Sequence, residues 1–160
     1  MKKLHNPFFQ EEEFKCFACD PKNEHGLHME FYEEEDFVVS KWDPPEYYQG
    51  YMNVLHGGIQ ATLQDEVASW VVYVKAFTAG VTVSMDIEYK KPVYVDQGSV
   101  TVKGRLIEVG RKIAVIRTQL FSSRDEIASE ALVKYFVYPE KVAREKLLYP
   151  GRDAFYKNNI

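Results

Sequence analysis

Cysteine is scarce in this chain of 160 residues: there are two, Cys16 and Cys19, three positions apart. So close a pair gives no disulfide framework, and a cytoplasmic protein with reduced thiols is the expectation. Long apolar runs are missing too; none approaches the roughly 20 residues that a membrane helix needs. Lys2 and Lys3 precede no apolar core, so no secretory signal and no membrane partner are expected. Positive charge is not in excess either. With 20 Lys and Arg against 24 Asp and Glu, the net charge is −4. That balance speaks against nucleic acid as a partner, while leaving room for a local basic patch. Internal repeats and low-complexity tracts are also lacking.

What is present is an ordinary globular balance of 46% apolar and 28% charged residues, enough for one domain with a single core. Aromatics are abundant, with 11 Tyr and 10 Phe to fill that core or line a pocket. The chain divides into an N-terminal segment (1–26), a main domain (27–138) and a polar C-terminal tail (139–160). Glu11–Glu13 with Phe14 suggest a short helical turn. Strands are expected near 27–32 and 37–42, the second stopped by Asp43-Pro44-Pro45. A loop rich in Tyr, Gln, Gly and Asn follows.

From Gly57 to about Phe77 the pattern is helical. Ile59, Leu63, Val67, Trp70, Val71 and Val74 make one apolar stripe. A second face carries Gly57, Ala61, Asp65, Ala68 and Val72, mostly small. Trp70 and Phe77 are read as core. Val81, Val83, Met85, Ile87 and Tyr89 then alternate with polar residues in period two. Further strands are expected over 99–109, 112–122 and 127–138, with turns tight enough for antiparallel hairpins. A short helix is expected at 140–148. The fold class is α+β, an antiparallel sheet of five to six strands wrapped around one long central helix.

Chemistry concentrates at His56-Gly57-Gly58. Two glycines leave backbone N–H groups sterically bare at a helix N-terminus, where partial positive charge gathers. Such an end suits an anion or a polarised carbonyl oxygen. Asp65, two turns later, is a carboxylate in an otherwise apolar segment. Its neighbour Glu66 is turned by about 100° around the helix, toward a loop or solvent, so Asp65 is the expected acid. Eight helical residues set Asp65 roughly 12 Å from Gly57 along the axis. An acid and an oxyanion donor must both come within about 3 Å of one reacting carbon. One chain cannot easily supply both. A two-fold homodimer with antiparallel helices side by side would bring Asp65 of one subunit to Gly57 of the other. Ala61 and Ala68 would permit that approach.

The order of elements and these motifs resemble the hotdog fold, and within it the PaaI-like acyl-CoA thioesterases. The resemblance rests on His56-Gly57-Gly58, Leu63, Asp65-Glu66 and Gly80-Val81-Thr82-Val83. Cys16-Phe17-Ala18-Cys19, Asn23, Gly26-Leu27, Tyr89-Lys90-Lys91-Pro92 and Ala128-Ser129-Glu130-Ala131 also fit. It covers about residues 14 to 138. It implies an acyl-CoA thioesterase with a site shared across a homodimer, Gly57 as oxyanion donor and Asp65 as catalytic carboxylate. Whether Asp65 acts as general base or as nucleophile is left open, as is pairing of dimers into tetramers. The resemblance also implies a polar side chain seven residues before Gly57, where this chain has Gly50; Gln49 or Asn53 would stand in. Thr82, and with it Ser84 on the next strand, supply hydroxyls. His56 and Gly58 complete the substrate corner, His56 shaping the loop through its side chain. Lys90, Lys91, Arg111 and Lys112 are the candidates for the CoA phosphates.

Cys16-x-x-Cys19 with His25-x-x-His28 has zinc-like spacing. The intervening loop is short, however, and His28 enters a strand, so no metal and no cofactor are expected. Tyr47-Tyr48-x-x-Tyr51 suits a lid over an acyl chain or packing within a dimer. Two other functions compete. A hotdog dehydratase or hydratase needs a catalytic His on the helix, and no His follows position 56 here. A non-catalytic acyl-CoA binding protein would lack turnover altogether.

Overall fold

A single long helix decides the architecture. The computed structural model describes residues 1–157. In chain order the elements are β1 (Lys2–Leu4), β2 (Phe31–Glu34), β3 (Phe37–Trp42), α1 (Gly57–Lys75), β4 (Gly80–Tyr89), β5 (Val100–Val109), β6 (Ile113–Phe121), β7 (Ile127–Val137) and α2 (Glu140–Leu147). The strands form one antiparallel sheet in the order β1-β2-β3-β5-β6-β7-β4. Strands β3 to β7 all contact α1. This is the expected hotdog arrangement, with seven strands rather than five to six. The additional one, β1, is three residues long and too short for an alternating pattern to betray it.

The apolar stripe of α1 faces the sheet. Leu63, Val67, Val71 and Val74 are fully buried, and Trp70 stacks on Phe31 with ring centroids 4.1 Å apart. Gly104 on β5 lets the helix approach closely: a Cβ there would lie 2.8 Å from Val67 Cγ1. A hydrogen-bonded ladder of buried polar groups fixes how far α1 slides along the sheet. Thr118 donates to Gln64 (2.9 Å), Gln64 to Ser129 (2.9 Å) and Ser129 to Gln60 (2.8 Å). Each group is satisfied, so its burial carries no orphan cost.

Several expectations are corrected. β2 begins at Phe31, not at 27, because Leu27 and Met29 donate instead to the carbonyls of Phe17 and Ala18. His28, at φ +53°, also breaks the extended backbone between them. The acidic stretch around Glu11–Glu13 forms turns rather than a helix. Phe77 is half exposed at φ +56°, just past the helix, and is not core. On the face of small residues on α1, Ala68 and Val72 are fully buried within one chain, whereas Gly57, Ala61 and Asp65 are only partly covered. β4, a ten-residue strand with Val81 and Val83 exposed, lies at the open edge of the sheet.

Candidate active site

At the start of α1 the backbone donors can be accounted for one by one. His56 is the N-cap, and its Nδ1 accepts from Gly58 N–H at 2.9 Å. Ile59 and Gln60 N–H both reach the His56 carbonyl, at 3.0 and 3.1 Å. Among the described residues the Gly57 N–H has no partner. It is therefore the donor of the first turn left free for a ligand, whereas Gly58 is committed to the cap. Tyr89, at the end of β4, closes this corner. Its hydroxyl donates to the Gly57 carbonyl at 2.6 Å, and its ring lies 3.4 Å from where a Gly57 Cβ would stand. Partial burial pushes the Tyr89 hydroxyl up.

Two turns along, Asp65 Oδ1 accepts from Thr82 Oγ1 and from the Tyr135 hydroxyl, each at 2.8 Å. The same hydroxyl donates to the Asp65 carbonyl at 2.9 Å. Oδ2 has no partner among the described residues, so the acid is clamped by one oxygen and free at the other. Burial, and next the Asp65 charge, push the Tyr135 hydroxyl far above its ordinary range, which keeps it a proton donor. Glu66 points into the N-terminal loop rather than toward solvent. It accepts from Trp70 Nε1 at 3.2 Å and lies 3.6 Å from Cys16 Sγ, and burial pushes its carboxyl up.

Thr82 and Tyr89 stand seven residues apart, an odd interval that sends side chains to opposite faces of a regular strand. Both nevertheless face α1. A bulge at Val83 shifts the register: Thr82 pairs with Tyr135, but Ser84 pairs with Lys134 and Tyr89 with Ser129. Ser84 therefore shares the outer phase of exposed Lys134 and leaves the site, contrary to expectation. Plain alternation hides this.

The other candidates disperse. Gln49 and Asn53 serve their own loop: Gln49 donates to the Glu46 carbonyl at 2.6 Å and accepts from Asn53 N–H, while Asn53 donates to Asp96 at 3.0 Å. Neither stands free as the polar helper. Lys90 and Lys91 follow Tyr89 and so sit at the Gly57 end of β4. They pair with Glu130 at 3.2 Å and Glu126 at 2.7 Å. These pairs are exposed to solvent and therefore weak, so a phosphate could displace them. Arg111 and Lys112 lie at the opposite end of the sheet, where Val137 N–H donates to the Lys112 carbonyl at 2.8 Å. Within one chain they cannot serve the Gly57 corner. His25 and His28 do not join the cysteines; His28 Nε2 meets the Asn23 carbonyl at 2.6 Å.

The hydroxyls of Tyr89 and Tyr135 were absent from the expected site. Tyr135 had a signal: it falls in the inward phase of β7 with Ala131 and Val133, and a buried phenol needs an acceptor. Tyr135→Phe keeps the packing and releases one of the two bonds on Oδ1. The expected result is a drop in kcat of about tenfold with KM little changed, read from steady-state kinetics beside an unaltered circular dichroism spectrum.

Comparison with known proteins bears on this geometry. Residues 52–129 match the model of the thioesterase superfamily. A hypothetical thioesterase of Streptococcus pneumoniae TIGR4, solved with coenzyme A, superposes with a TM-score of 0.64 at 25% identity, covering 70% of this chain and 90% of that one. A Streptococcus mutans UA159 protein bound to acetyl-CoA gives 0.66 at 20% identity over 82% of this chain and 98% of that one, a likeness of fold. A candidate esterase of Saccharolobus solfataricus is 27% identical over 95 residues, or 59% of this chain; the match spans 62% of that relative's length.

Proposed function

We propose that this chain, whose residues 52–129 match the model of the thioesterase superfamily and whose fold is the hotdog, is a member of that superfamily and hydrolyses acyl-CoA thioesters to the free acid and CoA. One observation carries the proposal: a free helix N-terminal donor at Gly57 and a carboxylate at Asp65 held by one oxygen with the other open. The Gly57 N–H, aided by the helix dipole, would polarise the thioester carbonyl and stabilise the developing oxyanion. Oδ2 of Asp65 would drive the attack, either by taking a proton from water or by adding to the carbonyl carbon. On the first route the proton taken up by Asp65 passes to the departing CoA sulfur. On the second the CoA thiolate leaves first, water then hydrolyses the acyl–Asp65 anhydride to the free acid and restores the carboxylate, and the proton from that water goes to the thiolate. The coenzyme A and acetyl-CoA carried by the two streptococcal neighbours support an acyl-CoA as the substrate class. A PaaI-like preference belongs to the same proposal.

The two groups would meet across a homodimer built on β4. Thr82 contacts Asp65 and Tyr89 contacts Gly57, and these two strand residues stand six ladder steps, or about 20 Å, apart along β4 within one chain. Suppose two copies pair antiparallel along β4 about Ser84 and Met85. Tyr89 of the partner subunit then falls opposite Gly80, about 7 Å along the strand from Thr82. The long, open edge of β4 supports such pairing, because an unprotected edge strand is a ready template for another. The same antiparallel pairing turns the end that carries Arg111 and Lys112 toward the partner's Gly57 corner. Tyr47, Tyr51 and Met52, all strongly exposed, would cover the acyl group.

The test is release of free thiol from a panel of acyl-CoAs, short, medium, long and aromatic. Turnover on at least one, linear in enzyme, is the expected result. Binding of acyl-CoA without turnover on any of them would make this a binding protein instead.

A further inference from the structure

Thioester chemistry leaves the Cys16-x-x-Cys19 turn unexplained. We propose that Cys16, Cys19 and Glu66 form a binding site for a thiophilic divalent cation, zinc by the chemistry of its ligands, which staples the N-terminal loop to α1. The site is independent of the thioesterase reading. The two sulfurs and a Glu66 carboxylate oxygen lie within 4.8 Å of one another. Zinc–sulfur and zinc–oxygen distances of about 2.3 and 2.1 Å give a tetrahedral sulfur–oxygen edge of about 3.6 Å. Cys16 Sγ and Glu66 Oε1 already stand 3.6 Å apart. Closing the remaining sulfur edges to about 3.8 Å or less takes a shift of about an ångström.

Each ligand atom also has an N–H donor aimed at it. Cys19 N–H donates to Cys16 Sγ at 3.3 Å, Asn6 Nδ2 to Cys19 Sγ at 3.6 Å and Trp70 Nε1 to Glu66 Oε1 at 3.2 Å. Donors of this kind orient ligands and favour their anionic, metal-binding forms. The turn that holds both sulfurs is closed by Asp20 N–H on the Cys16 carbonyl at 3.2 Å. No lysine or arginine among the described residues faces Glu66, so a bound cation would supply the missing countercharge. Beside Cys19 a cavity of about 290 Å³, lined by His5, Asn6, Met29 and Trp70, gives room for solvent in a fourth position. Two soft thiolates with one carboxylate suit zinc better than magnesium or calcium. His25 and His28 take no part, which separates this ligand set from the pattern the spacing alone suggests.

The experiment is cobalt(II) titration of the reduced, metal-free full chain, with zinc content measured on protein purified under reductant. Expected are one zinc per chain and, on adding cobalt, a thiolate-to-metal charge-transfer band. Glu66→Gln keeps the volume and a carbonyl for Trp70; it should weaken cobalt binding by at least about tenfold. The double variant Cys16→Ser, Cys19→Ser should abolish the band, and if it fails to fold, the Glu66→Gln titration carries the test alone. Absence of the band in the native chain overturns the site. So does a Cys16–Cys19 disulfide recovered in place of metal, or cobalt affinity unchanged in Glu66→Gln.

Discussion

Replacing Asp65 by Asn is expected to lower turnover of the preferred acyl-CoA by about two orders of magnitude or more, with the fold intact. The expectation follows from how the side chain is held. Both donors, Thr82 and Tyr135, reach the same oxygen, and an Asn carbonyl in that place accepts from each of them just as well. What the substitution removes is the charge and basicity of the second oxygen, the one left open. Folding should barely register the change, since no lysine or arginine is lost from Asp65. Steady-state kinetics by free-thiol detection, beside a thermal melt, would check both halves. Full activity in Asp65→Asn would remove this carboxylate from the mechanism.

Gly57→Pro is the complementary experiment. Proline is well tolerated at the first position of a helix, and there it deletes one N–H and little else. His56, at ψ 131°, already has the extended backbone that precedes a proline comfortably. Removing one oxyanion donor should cost about 10²–10³ in kcat. The two inactive variants then test the shared site directly. In a mixed dimer, the Asp65→Asn subunit still offers its Gly57 and the Gly57→Pro subunit its Asp65, so one of the two sites is whole. Random re-pairing of equal amounts should restore about a quarter of native activity. If the site lies within one chain, mixing restores nothing, and the β4 pairing falls with it.

How much of this was legible in the sequence depended on periodicity. The stripe on α1 and the alternation in β5, β6 and β7 repeat over nine or more residues, and those elements lie within a residue or two of expectation. The site was legible where it is local: His56, Gly57, Gly58 and Asp65 share one helix, and their spacing alone sets their separation. It was not legible where it depends on tertiary register. Nothing near Tyr135 announces that it will meet a carboxylate 70 positions away, and the bulge that discards Ser84 interrupts no visible pattern. The small-residue face of α1 was legible only in part, since Ala68 and Val72 are buried within the chain while Gly57, Ala61 and Asp65 are only partly covered. Small residues permit close approach by anything, and here it is the chain's own sheet that covers Ala68 and Val72. The tail, read as polar, also sends Tyr149 and Phe155 into the core beside Tyr73 and Trp70.

The bulge at Val83 has a consequence for how this protein can change. Odd spacing lets one strand serve two stations on the same side, a hydroxyl beside the acid and a phenol over the helix tip, only while a single surplus residue sits between them. Losing that residue would leave Thr82 and Tyr89 an even six steps apart on a regular strand, both still on the helix side, whereas gaining one more beyond the bulge would swing Tyr89 to the outer face. Substitutions along the strand are thus graded in their effects, whereas an insertion of one codon beyond the bulge acts all at once.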